Sequence, residues 1–261
     1  MQKSVHSKVF GQFLKSRRER VQPEEVGIHM TSGRRRTPGL RREEVAYLSH
    51  VSVTYYTWLE QGKDIQPSQE VLLNISQALQ LSPDEKEHLF NLAYNETLSL
   101  PVEEQYNDSL QTTVDNLPFP SFITDQRSKV IFWNREAESM LFPFSSCAFE
   151  ERYLLQLLFL EGSIRDRIQN WDEFSTYSVA VFRGIYDRFP EDPILNQLLV
   201  DLKQQSKLFR ELWEQHHIEQ KKISFISIND EQGQTKHFRI HSATHVDGNE
   251  DLYWCMYVPV S

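Results

Sequence analysis

The sequence predicts a multidomain chain, an all-α five-helix domain followed by an α+β domain with an antiparallel sheet and flanking helices. Three observations predict it. Up to about residue 97 the apolar residues recur three and four apart, the spacing of one helix face. Around Pro101 and the acidic pair Glu103-Glu104 this pattern loosens. From Phe119 onward, short β-like runs separated by polar turns enclose a long helical stretch. Residues 1–97 therefore read as the first domain, with a basic insertion at 21–40. Residues 98–116 read as a linker or connecting helix, and 117–261 as the second domain.

In the first domain, Phe10, Phe13 and Leu14 give an opening helix its apolar side, with Lys15, Arg17 and Arg18 on the remainder. The run PGLRREEVAYLSHVSVTYYTWLEQGKD, from Pro38 to Asp64, reads as two short helices joined by a tight turn. The first begins near Arg41 and buries Val45, Ala46 and Leu48, with Arg41, Arg42, Glu43 and Glu44 opposite. Ser52 is placed to cap the second, and Val51 before it to pack on Tyr56, a hydrophobic staple. Tyr56 and Leu59 then face inward, while Thr54, Trp58 and Gln61 share an exposed stripe beside Val53 and Tyr55. Pro67-Ser68 starts a helix that buries Val71, Leu72, Ile75, Ala78 and Leu79. Ser82-Pro83-Asp84-Glu85 forms a capping box with proline at the first helical position, and Leu89, Phe90, Leu92 and Ala93 follow.

In the second domain, Phe119–Thr124 and Lys129–Trp133 read as strands around a turn at Asp125–Ser128, with Asn134 as a helix cap. Ile223–Ile228, Lys236–Ser242 and Leu252–Val258 read as strands separated by turns at Asp230–Gln234 and Asp247–Asp251. The last strand alternates Leu252, Trp254, Met256 and Val258 with Tyr253, Cys255 and Tyr257. Neither face is plainly polar, so both are expected to be covered.

Composition narrows the function classes. At 261 residues with 39% hydrophobic content, the chain is long enough for two cores. No apolar stretch approaches the ~20 residues of a membrane span, and the opening MQKSVHSKVFGQFLKSRRER has no apolar signal core. Two cysteines, Cys147 and Cys255, give no disulfide framework or metal spacing and read as buried thiols, so a cytoplasmic address is expected. No phosphate-cradling glycine loop, nucleophile elbow or HExxH motif occurs, so neither enzyme activity nor a cofactor is expected. His237, His241 and His245 recur every four residues, but on a strand such positions stand about 13 Å apart, too far to share one ion. No metal is expected.

The net charge of −9 divides unevenly. Residues 8–63 hold 11 Lys and Arg against 6 Asp and Glu, and residues 97–261 hold 15 against 25. A basic nucleic-acid face joined to an acidic body fits that asymmetry. The two-helix run fits it too, because the second helix of a helix-turn-helix enters the major groove of double-stranded DNA while the first crosses the backbone. Arg34, Arg35, Arg36, Arg41 and Arg42 form the cationic cluster that phosphate contacts require, and Lys63 and the capping Ser52 flank the second helix. Two readings of Trp58 stay open, a DNA contact and a ring packed on the loop after the helix.

The segment from Phe10 to Ala93 resembles the helix-turn-helix domain of the XRE superfamily in its MmyB-like branch. The resemblance is carried by a basic, glycine-containing insertion followed by GRRRTPGLRREEVA at 33–46. It implies a sequence-specific transcriptional regulator in which Val53, Thr54 and Trp58 take base-reading positions, Tyr55 touches phosphate or sugar, and Arg41 and Arg42 fix register on phosphate. Trp58 departs from the arginine common in that branch, and an indole suits thymine methyls better than guanine.

In the second domain, VIFWNREAESML resembles the strand-to-helix step of PAS-like sensors. The stretch WDEFSTYSVAVFRGIYDRFPEDPILNQLLVDLKQQSKLFRELWEQHHI at 171–218 resembles the helical part of the MmyB-type ligand-binding domain. That resemblance implies a sensor of a small apolar ligand, with a fatty acid as the candidate. The aromatic residues Phe122, Trp133, Trp171, Phe174, Tyr177, Phe182, Phe209, Trp213 and Trp254 are the candidate lining, and core packing is the other reading of each. The sequence shows no charge that must anchor a carboxylate; Arg183, Arg210 and Arg239 are candidates. The chain departs from the family in having Asn229-Asp230 where a His-Pro pair is common. Two functions follow: a ligand-modulated regulator acting as a homodimer, or a DNA-bound interaction protein whose second domain dimerises or docks a protein without a small ligand.

Overall fold

In the computed structural model, which describes residues 5–28, 39–94, 106–162, 164–219, 224–246 and 249–260, the residues up to 99 form one unit together with 186–191. Residues 100–185 and 192–261 form the second.

The first unit is helical. Helices α1 (Val5–Arg18), α2 (Arg42–Leu48), α3 (Val53–Glu60), α4 (Gln69–Ala78) and α5 (Pro83–Tyr94) match the five read from the apolar spacing. Their core holds Phe10, Phe13, Leu14, Val45, Ala46, Tyr56, Leu59, Leu72, Ile75 and Leu89. The expected caps are formed. Ser52 Oγ accepts from Tyr55 N at 3.1 Å, and Ser68 Oγ accepts from Val71 N at 3.3 Å. Ser82 Oγ accepts from Glu85 N at 3.2 Å while Ser82 N donates back to the Glu85 carboxylate at 3.0 Å. Each satisfies amide groups that a helix start leaves without intrahelical partners.

Helices α1 and α3 cross closely because position 11 has no side chain. A Cβ on Gly11 would stand 2.5 Å from the Glu60 carbonyl oxygen, inside any tolerable contact. The outer face of α1 differs from the sequence reading: Arg17 and Arg18, read as surface cations, are buried. The reason is electrostatic. Arg17 Nε lies 3.2 Å from Glu85 Oε1 and its guanidinium sits 4.8 Å from the Phe13 ring centre, while Arg18 pairs with Glu60. Buried cations are tolerated where carboxylates of the same unit neutralise them.

The second unit carries a five-stranded antiparallel sheet of order β2-β1-β5-β4-β3. The strands are β1 (Ser121–Thr124), β2 (Val130–Trp133), β3 (Ser224–Asn229), β4 (Thr235–Val246) and β5 (Asn249–Pro259), the last two longer than their sequence signal. Around them lie α6 (Ser109–Asp115), α7 (Arg135–Met140), α8 (Leu154–Phe159), α9 (Trp171–Arg188), α10 (Pro193–Gln205) and α11 (Lys207–Glu214).

Asn134 organises the entry to α7. Its Oδ1 accepts from Ala137 N at 2.9 Å and from Ser121 N at 3.0 Å, and its Nδ2 donates to the carbonyls of Leu117 and Phe119 at 3.1 and 2.8 Å. One side chain thus caps a helix and ties the approach to β1. Both faces of β5 are packed, as its composition requires. Leu252 joins Leu110, Val114, Ile123, Ile131, Phe132 and Val246 in one cluster with Trp254 against it, and Cys255 and Tyr257 are buried on the alternate positions.

Candidate functional site

The first unit presents a polar and aromatic face on α2 and α3. Between them the chain turns through Ser49, whose Oγ donates to the Val45 carbonyl at 2.6 Å, and His50, whose φ is +56°. Val51 N then donates to the Ala46 carbonyl at 3.0 Å. This turn, with Tyr56 and Leu59 buried, directs the opposite face of α3 outward. Val53 and Thr54 are exposed at its start, and Tyr55 is half-buried. Burial, then Tyr94, pushes the Tyr55 phenol above its ordinary value, so it is a neutral donor at physiological pH.

Trp58 is 39% exposed, and the Lys63 ammonium sits 4.5 Å from its ring centre. The ring is thus packed against the chain after the helix and still partly open to solvent. The Lys63 amide donates to the Trp58 carbonyl at 3.0 Å, which holds the two together. A cation over an indole face is a favourable pairing.

The cations of α2 are placed at its start. Arg41 lies just before the helix, where its amide donates to the Glu44 carboxylate at 2.6 Å and its guanidinium reaches Glu43 at 3.4 Å. Arg42 points the other way, with Nε and Nη2 at 3.0 and 2.8 Å from Glu60 Oε1, and remains 46% exposed. It is therefore held in one orientation with part of its charge facing water. Arg34, Arg35 and Arg36 lie outside the described residues. Sequence reasoning overlooked Tyr47, which is 79% exposed on α2. Its spacing of three and four from Glu44 and Glu43 was the available signal.

In the second unit a cavity of about 80 Å³ opens between the sheet and the helices α8 and α9. Phe122, Phe174, Tyr177 and Phe182 of the nine candidate aromatics line it. The other five stand elsewhere. Trp133 packs at 5.5 Å on Phe144, with the Arg152 guanidinium 4.8 Å from its ring. Trp171 packs at 5.6 Å on Phe159, and Phe209 stacks on Trp213 at 5.8 Å. Trp254 Nε1 donates to Ser121 Oγ at 2.6 Å.

Nearly half of the lining residues are aliphatic and were not singled out from sequence, Leu141, Leu155, Leu158, Ile164 and Ile168 among them. Runs such as LLQLLFL have no period that separates lining from core. On the sheet side Cys255 and Tyr257 face the cavity. Burial pushes the Tyr257 phenol well above its ordinary value, with Cys255 and Tyr177 adding to it. His237, His241 and His245 lie along β4 as a strand.

Two separate family models match the chain. Residues 9–89 match the model of a helix-turn-helix domain, and residues 106–261 match that of the MmyB-like transcription regulator ligand binding domain. No curated protein matches the chain significantly. No helix among the described residues is long and apolar enough to cross a membrane. With a DNA-binding module ahead of a ligand-binding module that takes up more than half of its length, the chain belongs to the MmyB-like transcription regulators.

Proposed function

We propose that this DNA-binding regulator reads a specific operator with α3 as a homodimer, and that a small hydrophobic ligand of fatty-acid-like chain in the second unit modulates its DNA affinity. The observation that carries the ligand part is the cavity walled by Phe122, Phe174, Tyr177, Phe182 and the leucines around them. Apolar walls with a few polar groups are the usual make-up of a small-molecule site. The cavity is about 80 Å³, roughly half the ~150 Å³ that accommodates benzene in an engineered protein core. A long chain therefore enters only as side chains of the wall move aside. That movement supplies the difference between two states that regulation requires, because a ligand shifts an equilibrium only by its differential affinity for them.

The DNA part rests on the exposed row Val53, Thr54 and Trp58 with Arg41, Arg42 and Lys63 at its margins. Base edges are read by the former and phosphates held by the latter. Mass spectrometry of gently purified protein, followed by operator titrations with and without the extracted molecule, tests the whole reading. A stoichiometric apolar compound whose addition shifts DNA affinity by about fivefold or more supports it. A domain that takes up no apolar compound leaves dimerisation or protein docking as its role.

A further inference from the structure

The described wall of the cavity bears no charged side chain. Among the described residues that line it there is no Lys, Arg, His, Asp or Glu. Its polar groups are hydroxyls and a thiol, and Ser178 already donates to the Phe174 carbonyl at 2.7 Å. Ser242 and Cys255 face each other across β4 and β5, with Oγ and Sγ 3.9 Å apart. A thiol is a weak hydrogen-bond partner, so this pair offers a neutral hydroxyl to an incoming polar end.

The three candidate arginines are engaged elsewhere, and no arginine is among the described lining residues. The Arg183 guanidinium lies 3.8 Å from the Trp213 ring centre and donates to the Trp213 carbonyl. Arg210 Nη1 donates to the Lys203 carbonyl at 3.3 Å. The Arg239 guanidinium is 5.2 Å from the ring of Phe225, which is itself exposed. The raised phenol of Tyr257 is a second sign that this wall disfavours a charge.

We infer that the ligand of this cavity is uncharged: an apolar molecule ending in a hydroxyl or carbonyl group, with the carboxylate form of a fatty acid disfavoured. The inference rests on the reading of the cavity as the ligand site. An ion moved from water into such a wall without a partner loses its hydration and gains nothing comparable, so an acid would enter in its protonated form.

Calorimetric titration of the delipidated full chain with 1-octanol, octanoate and octylamine at pH 8 tests this, with a Ser178→Phe variant that fills the cavity. The expected result is that 1-octanol binds at least tenfold more tightly than either ion and that octanoate gains affinity as the pH falls to 5 while 1-octanol does not. Ser178→Phe, with an unchanged circular-dichroism spectrum, should lose 1-octanol binding. Octanoate binding as tightly as 1-octanol at pH 8, and lost in Ser178→Phe, overturns the neutral ligand and leaves the site standing. Binding of none of the three, or 1-octanol binding that survives in Ser178→Phe, overturns the site itself.

Discussion

Arg18 and Glu60, 42 residues apart in sequence, meet as a paired double hydrogen bond, Nε to Oε2 at 2.6 Å and Nη2 to Oε1 at 2.9 Å. Both side chains are buried, at 5% and 1% exposure. The same carboxylate also takes Arg42, so Glu60 ties α1 to the end of α3 and the start of α2. Removing it takes away the paired carboxylate and leaves Arg18, in a water-excluded place, with only the longer 3.6 Å contact to Glu19. Glu60→Ala is expected to destabilise the first unit by about 3–5 kcal/mol. Urea unfolding followed by tryptophan fluorescence measures this. The double substitution Arg18→Met with Glu60→Leu should recover most of the loss, because no ion is then left alone. A Glu60→Ala chain as stable as the parent contradicts the role given to this pair.

Arg42 shares Glu60 but is half in water, so its removal should cost stability less than ~1 kcal/mol. Its effect belongs to DNA. Arg42→Ala is expected to weaken binding to every sequence alike and to reduce the slope of log affinity against log salt by about 1. Thr54→Ala, one side chain on the exposed row of α3, should instead reorder the preferred sequences with the salt slope unchanged. Fluorescence anisotropy on a panel of duplexes at several salt concentrations separates the two. If both variants bind all duplexes as the parent does, α3 is not the reading helix.

The helical half of this pattern was legible in the sequence because its signals are local. Ser52, Ser68 and Ser82 each stand where a cap is needed, and each accepts the amide bond expected of it. What was not legible depends on partners far along the chain. Arg17 and Arg18 read as surface cations because the carboxylates that hold them most closely, Glu85 and Glu60, arrive from far along the chain. The cavity was only partly legible for the same reason. Phe122 and Phe209 are both fully buried aromatics, yet one borders a void and the other fills the space between Phe159, Phe182 and Trp213. No local pattern distinguishes a residue beside empty volume from one beside another ring.

His50 occupies the turn between α2 and α3 at φ +56°. A side chain with a Cβ is strained in this left-handed region, by roughly 1–2 kcal/mol. His50→Gly is expected to relieve most of that and stabilise the chain by about 1 kcal/mol, offset in part by the greater freedom of glycine in the unfolded state. Thermal unfolding should show a higher midpoint. A lower midpoint means that the imidazole contributes contacts outweighing the strain.

Three buried tyrosines make the fold sensitive to alkali. Burial pushes the phenols of Tyr56 and Tyr257 well above the ordinary 10.0, and that of Tyr153 up to about 12. Above pH 10 each of these groups loses its proton in the unfolded chain while the folded chain retains it. The unfolded state then binds fewer protons, and stability falls with rising pH. The contribution is whole below pH 10 and disappears as pH climbs through the folded values, at about 1.4 kcal/mol per pH unit for each group. Tyr257→Phe keeps the ring against Phe122 and Phe238 and removes one titration. Urea unfolding at pH 9, 10 and 11 should therefore give a shallower decline for Tyr257→Phe than for the parent, with the phenolate absorbance of the parent developing together with unfolding. Equal declines in the two proteins, or full phenolate absorbance while the chain is still folded, would show that Tyr257 is reached by solvent and is not sealed behind the sheet.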